Sequence, residues 1–301
     1  MKRILLLSAI LSLPFISEAQ YKWDIGVKLG AANYLGDIGG GITTRRNFVP
    51  DMKMGETRFA GGGFARLKVH PKASVQFGLE YGHIMGDDKL SANPARHDRN
   101  LNFKNNIFEA NVMGQFFFYE INDLGHTYRY RNDFRAYIGL GVAGFHHNPK
   151  TLDGGIPLQP LMTEGVDYSL FQIAIPAQLG CYFTIDKKYR IGWDITWRTT
   201  FTDYLDDVSG HYVNPATLTP QAAALADRTN ELNVSQAVKN QYGWYEGKGN
   251  KRGDPTHKDS YIFSTINVSY ALRGKSSFYR SNYGSLFKGK KYKKRKFRAK
   301  F

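Results

Sequence analysis

The sequence predicts an all-β protein: an eight-stranded antiparallel transmembrane up-and-down β-barrel with long extracellular loops and a basic C-terminal tail. Three observations carry this. Apolar residues recur at every second position over eight segments, the mark of strands with one apolar face. The joins between the segments alternate between short and long, the asymmetry of outer-membrane barrels. The chain also opens like an export signal, with Lys2-Arg3, an apolar run to Ile16, and the small residues of Ser17-Glu18-Ala19. That run is too short to span a bilayer, and no stretch of about twenty apolar residues follows it. The expected organisation is a signal peptide over 1–19, a barrel over 20–272 and a basic aromatic tail over 273–301.

The first strand runs near Trp23 to Ala31, with Trp23, Ile25, Val27 and Leu29 on one face and Asp24, Gly26, Lys28 and Gly30 on the other. The second covers Arg58 to Val69 and is rich in glycine. The third, Ser74 to Met85, alternates Val75, Phe77, Leu79 and Tyr81 with Gln76, Gly78 and Glu80. The fourth runs Ile107 to Phe118, the fifth Phe134 to Phe145, the sixth Ser169 to Phe183. The seventh is Arg190 to Phe201, where Trp193 and Trp197 oppose Asp194 and Arg198, and the eighth is Tyr261 to Leu272. Such lengths suit tilted spanning strands of about 9–11 residues. Joins after strands two, four and six are short, and those after one, three, five and seven are long. An even strand count then places both mature termini on the short-turn, periplasmic side of an outer membrane.

A mean hydropathy on the polar side is compatible with this fold, because each strand is apolar on one face only. A soluble barrel of the lipocalin kind would reverse the arrangement, with apolar residues inside and charges outside. Here the polar face carries Lys28, Arg66, Lys68, Glu80, Glu109, Arg135, Asp194 and Arg198. A charge facing lipid at mid-depth costs about 2–4 kcal/mol, so these side chains are expected to point inward. Inside an eight-stranded barrel side chains fill the space, and buried charges need partners. The expected interior is therefore plugged.

Past the first strand stands Asn33-Tyr34-Leu35-Gly36-Asp37-Ile38-Gly39-Gly40, and past the seventh Thr202-Asp203-Tyr204-Leu205-Asp206-Asp207-Val208-Ser209-Gly210-His211-Tyr212, continuing through Asp227-Arg228 and Arg252-Gly253 to Asp259. These segments resemble the PorG-like barrels of Bacteroidota, accessories of the type IX secretion system. Tyr34, Gly36, Asp37, Asp203, Asp206, Asp207, Ser209 and Gly210 carry the likeness. The resemblance implies a non-catalytic outer-membrane anchor whose partners are membrane lipids and periplasmic ring proteins of the PorK and PorN kind. In some relatives the same machinery supports gliding.

Other chemistry is weakly signalled. Asp203, Asp206 and Asp207 supply oxygen ligands of the kind Ca²⁺ takes, but their spacing departs from an EF-hand and fits a structural loop. His146 and His147 are adjacent and diverge on a strand, while His83 and His211 lack a third ligand, so no metal or cofactor is expected. There is no Gly-x-Ser-x-Gly elbow, and the chain is expected not to be an enzyme. A lipid-active barrel and a small channel remain the alternative readings. Cys181 fits a small core or lipid-facing residue. Thr219-Pro220 ahead of an Ala-rich run predicts a short helix over the barrel mouth.

The formal net charge of +15 belongs largely to the tail. From Arg273 to Phe301 every charged side chain is a cation, and the residues expected to dock a partner are Lys288, Lys290, Lys291, Lys293, Lys294, Arg295, Lys296, Arg298 and Lys300. Their interleaved aromatics would suit nucleic acid in the cytosol, but an export signal removes that partner. An acidic protein surface, anionic head groups or the cell wall remain as candidates.

Overall fold

The computed structural model describes residues 23–40, 52–122, 124, 132–233, 235–240, 243–245 and 247–272. The signal segment and the basic tail fall outside them. Eight long strands dominate: β1 (Trp23–Leu35), β2 (Arg58–His70), β3 (Ala73–Asp87), β4 (Asn102–Ile121), β5 (Asp133–His146), β6 (Phe171–Ile185), β7 (Tyr189–Thr200) and β8 (Ser260–Leu272). Each pairs antiparallel with its predecessor. β8 also pairs with β1, from Trp23 opposite Leu272 to Leu35 opposite Ser260. The sheet therefore closes on itself and none of the eight strands keeps a free edge, which alone satisfies every backbone group in an apolar layer.

The side chains sort by parity. Outward positions are apolar and open, with Val27 56% exposed, Leu79 71%, Leu140 64% and Phe171 74%. Inward positions are polar and closed, with Arg66 1% exposed and Arg198 0%. A water-soluble barrel cannot sustain this distribution, since apolar surface costs about 25 cal/mol per Å² left in water. Lipid is the medium that covers such a wall.

The strands run longer than the alternation predicts, and the reason is visible in their burial. At Ala32–Leu35, Ile84–Gly86 and Ser260–Phe263 consecutive residues are buried on both faces. There the strands rise past the apolar belt and loops cover them inside and out. Period 2 disappears from the sequence at that height, which is why β4 starts at Asn102 rather than Ile107.

Two of the three joins at the other end are tight. Pro71 and Lys72 connect β2 to β3, and Asp186 to Lys188 connect β6 to β7. Asp186 and Lys187 adopt φ of 51° and 57°, the left-handed pair a twisted hairpin turn requires. Among the described residues the long joins carry three short helices: α1 (Pro94–Arg99), α2 (Pro220–Ala226) and α3 (Gln236–Lys239). α2 sits where the Thr219-Pro220 signal places it, and the Thr219 hydroxyl caps it by accepting from the Ala222 amide at 3.2 Å. Among the described residues no helix is long and apolar enough to cross a membrane.

The main apolar core lies at the long-loop mouth, not at mid-barrel. Ile38, Leu101, Leu158, Leu205 and Val208 descend from all four long joins onto Phe103, Phe145, Tyr261 and Phe263 at the top of the lumen. The loops thus form a packed cap.

Candidate functional site

The lumen below the cap holds one connected charge network. Arg198 on β7 reaches Glu80 Oε2 at 2.6 Å and Glu109 Oε2 at 2.8 Å. Lys28 on β1 bridges Glu80 at 3.1 Å and Asp194 at 3.4 Å. The Tyr261 hydroxyl donates to Glu109 at 2.8 Å, and the Asn267 amide to Asp194 at 2.8 Å. Each carboxylate meets a cation from a strand on another part of the wall, so the network ties β1, β3, β4, β7 and β8 together across the lumen. Ions this deep are tolerated only because their lone pairs and protons are matched.

A second group lies toward the short turns. Asp24 accepts from Arg190 at 2.8 Å and from Arg66 at 3.4 Å. Arg66 also stands over the rings of Phe64, Tyr137 and Tyr182, at 4.9 to 5.4 Å. Arg135 pairs with Glu120 at 2.5 Å, and Lys68 is half-buried nearby. The interior is filled by these side chains: Arg66, Arg198, Lys28, Tyr137 and Tyr182 are all fully buried.

The cap gathers the motif residues from distant parts of the chain. The Tyr34 hydroxyl donates to Asp206 at 2.5 Å, lies 3.2 Å from Asp259 and accepts from the Asp37 amide at 2.9 Å. Asp37 in turn accepts from the Asp254 amide at 2.6 Å. Ser209 donates to Asp203 at 2.6 Å, and the Ser209 and Gly210 amides both donate to Glu164, at 3.0 and 2.9 Å. Asp207 accepts from the Thr163 and Tyr168 hydroxyls. Arg252 latches this layer through Glu164 at 3.0 Å and the Asp207 carbonyl at 2.5 Å. Arg99 does the same through Asp88 at 2.8 Å and the carbonyls of Asp37 and Arg252.

The motif glycines follow from this crowding. A Cβ on Gly36 would stand 1.8 Å from the Tyr34 hydroxyl, and one on Gly253 would stand 2.6 Å from Asp37 Oδ2. Glycine is what lets the backbones close on the carboxylates.

Burial shapes the cap's acids. It holds the Asp206 carboxyl well above its ordinary range, with the neighbouring Asp37 charge adding to the effect. Burial raises Asp207 as well, against the pull of Arg252, and lifts Glu56 to about 7 despite Lys53 beside it. His147, buried under Tyr168, is pushed down to about 4 and stays neutral. Among the described residues no group of three or more His, Cys, Asp or Glu is placed to hold a metal ion. Cys181 is half-buried on an outward position of β6. The tail cations expected to dock a partner, Lys288 to Lys300, lie outside the described residues.

Asp24 and Arg190 were not singled out as site residues, although the inward parity of β1 and β7 marks both. Glu164, Asp88, Arg99 and Lys53 carry no such mark, because they sit in loops without periodicity.

The solved structures similar to this chain are small barrels. Neisserial surface protein A aligns with 83% of this chain and 97% of its own, at 8% identity and a TM-score of 0.39. The outer membrane protein OprG from Pseudomonas aeruginosa aligns with 84% of this chain and 98% of its own, at 10% identity and a TM-score of 0.35. Ail of Yersinia pestis aligns with 83% of this chain and 99% of its own, at 8% identity and a TM-score of 0.32. No curated protein matches the chain. Residues 2–219 match the family described as "Domain of unknown function (DUF6089)", which takes in every strand but the last, and the chain belongs to that family.

Proposed function

We propose that this protein is a sealed, non-catalytic barrel of the outer membrane that anchors a type IX secretion assembly from below. The observation that carries the membrane part is the inverted polarity of the wall: apolar outside, with paired charges filling the inside. Filled by Arg66, Arg198, Lys28 and aromatic side chains, the lumen is poorly suited to passing solute. In this reading the short turns and both termini face the periplasm. Trp23 and Leu272, the first and last residues of the barrel, are paired at the short-turn end, which supports that orientation. The secretion part is supported by the resemblance of the Tyr34–Asp37 and Asp203–Gly210 segments to PorG-like barrels. These segments meet in the cap through Tyr34 and Asp206. The tail's cations and aromatics then suit an acidic surface on a ring protein of the PorK or PorN kind.

Affinity purification of the tagged full chain from detergent-solubilised membranes, followed by mass spectrometry, tests the assignment. A ring lipoprotein should accompany the barrel and be lost when 273–301 are deleted. A barrel that never carries a ring component, in cells whose cargo secretion is unchanged by its deletion, would overturn it.

A further inference from the structure

The two halves of the lumen are unequal in charge and in unmet hydrogen bonds. In the central network three carboxylates, Glu80, Glu109 and Asp194, face two cations, Lys28 and Arg198. Toward the short turns the balance reverses. Arg66, Lys68, Arg135 and Arg190 share that end with Asp24, Glu120 and Asp133, so four cations face three carboxylates.

The unmatched polar atoms follow the same division. Arg66 Nε, Arg135 Nη1, Arg190 Nε, Gln76 Nε2 and Gln178 Nε2 are buried donors that meet no protein acceptor. The amide orientations are fixed by their neighbours. Gln76 Oε1 already accepts from Arg66 at 3.3 Å and from Gln115 at 3.0 Å, and Gln178 Oε1 accepts from Gln115 at 2.8 Å. Each amide therefore presents its NH₂ to the lumen. Arg66, Gln76 and Gln178 are 1%, 0% and 4% exposed. The Tyr137 hydroxyl, also unmatched, stands among them. A buried donor without an acceptor costs about 1–3 kcal/mol, and this half of the barrel keeps five of them beside excess positive charge.

We propose that the short-turn mouth is an oxyanion site, receiving a carboxylate or phosphate group between Arg66, Arg135 and Arg190. The class of ligand follows from the chemistry. Guanidinium groups match planar or tetrahedral oxyanions with paired N–H donors, and the free amides of Gln76 and Gln178 add neutral donors behind them. Access is from the turn side, where the Arg135 and Arg190 side chains retain 12% and 11% exposure while Arg66 behind them keeps 2%. In the ring cluster of Phe117, Tyr137 and Tyr182, with centroids 5.8 to 6.0 Å apart, the two tyrosines hold the guanidinium of Arg66 and Phe117 that of Arg135 by cation–π contact. The site belongs to the barrel alone and stands whether or not the secretion assignment does. If both hold, the ligand is an acidic chain of the partner inserted into the mouth.

The full-length protein in neutral detergent micelles is treated with phenylglyoxal, and modification of Arg135 and Arg190 is followed by mass spectrometry. Three additions are compared: inorganic phosphate, hexaglutamate and hexaglutamine. Slower modification of Arg135 and Arg190 with phosphate supports the site and assigns it to a free oxyanion. Protection by hexaglutamate alone supports it and assigns it to an acidic chain. In the Lys68→Gln/Arg135→Gln double variant, protection of Arg190 should require about tenfold more anion, with the barrel's heat-modifiable gel migration unchanged. Equal rates with all three additions, or an unchanged anion requirement in a folded double variant, would overturn the proposal. The same holds if protection is confined to arginines of the tail.

Discussion

The lumen and the cap are both buried polar layers, yet they are built in opposite ways. In the lumen, carboxylates are neutralised by cations from other strands: Glu80 and Glu109 by Arg198, Asp194 by Lys28. In the cap, carboxylates are held mainly by hydroxyls and backbone amides: Asp206 by Tyr34 and the Val208 amide, Asp203 by Ser209, Asp37 by the Asp254 amide. Strands supply mainly side chains to their interior, because most of their backbone groups are spent on the ladder. Loops still have amides to offer. The lumen therefore depends on ion pairs that tie the wall together, whereas the cap depends on hydrogen bonds that join one loop to another.

The sharpest way to break that contrast is to remove the same residue type from each layer. Arg198→Met leaves Glu80 and Glu109 buried without their shared cation. Such a loss costs about 3–5 kcal/mol, so the whole barrel should unfold at markedly lower urea, with a parallel loss of heat-modifiable migration. Arg252→Met removes a cation just as deeply buried, the one that latches Glu164 and Asp207. Its expected cost is about 3 kcal/mol, confined to the cap. Proteolysis within 201–259 should accelerate strongly while the barrel's urea midpoint barely moves. A midpoint that falls as far as that of Arg198→Met would mean the two layers unfold as one.

Tyr34 stands where the layers meet, at the end of β1 and under the loops. Tyr34→Phe keeps the ring packing against Phe103 (centroids 4.8 Å apart) and deletes the hydroxyl that serves Asp206, Asp259 and the Asp37 amide. A loss of about 1–3 kcal/mol is expected, read as faster hydrogen exchange in Gly36–Gly40 and Asp203–Ser209 with no change in β5 or β6. Exchange that quickens in those strands too would show that the cap carries load for the wall.

How much of this was legible differs by layer, for a physical reason. Parity is local, so Lys28, Glu80, Glu109 and Arg198 declare an inward direction within a few residues of sequence. Their pairing is not local. Arg198 meets Glu109 only because seven antiparallel pairings and the β8–β1 closure bring β7 opposite β4. In the cap even direction is hidden. Asp203, Asp206 and Asp207 read as an acidic run with possible cation ligands, while the chain resolves them through Ser209, Tyr34, Thr163 and Tyr168, scattered over both halves of the sequence. Strand ends were shortened for a related reason: where both faces are covered, as at Ser260–Phe263, alternation no longer reports a strand. The helix at Pro220 was legible because capping, like parity, is a short-range signal.

The smallest effect separates the layers by pH alone. Burial keeps Asp206 protonated well above its ordinary range and lifts Glu56 to about 7. Both are acids whose folded pKa exceeds the unfolded one. The stability they contribute is complete below about pH 4, the ordinary carboxylate range, and is lost as pH rises through the folded values. For Glu56 that window is about 4.5 to 7, and the Asp206 loss continues above it. The cap should therefore loosen by a few-fold in hydrogen exchange over 52–57 and 203–209 between pH 5 and pH 9. Exchange in β4 and β7, which are paired along both edges in the closed ladder, should hold steady once corrected for intrinsic rate. Glu56→Gln removes one titrating acid and should flatten the pH 5 to 7 part of the profile while leaving the upper part, which belongs to Asp206. A cap whose exchange slows toward alkaline pH would contradict the sign of both shifts.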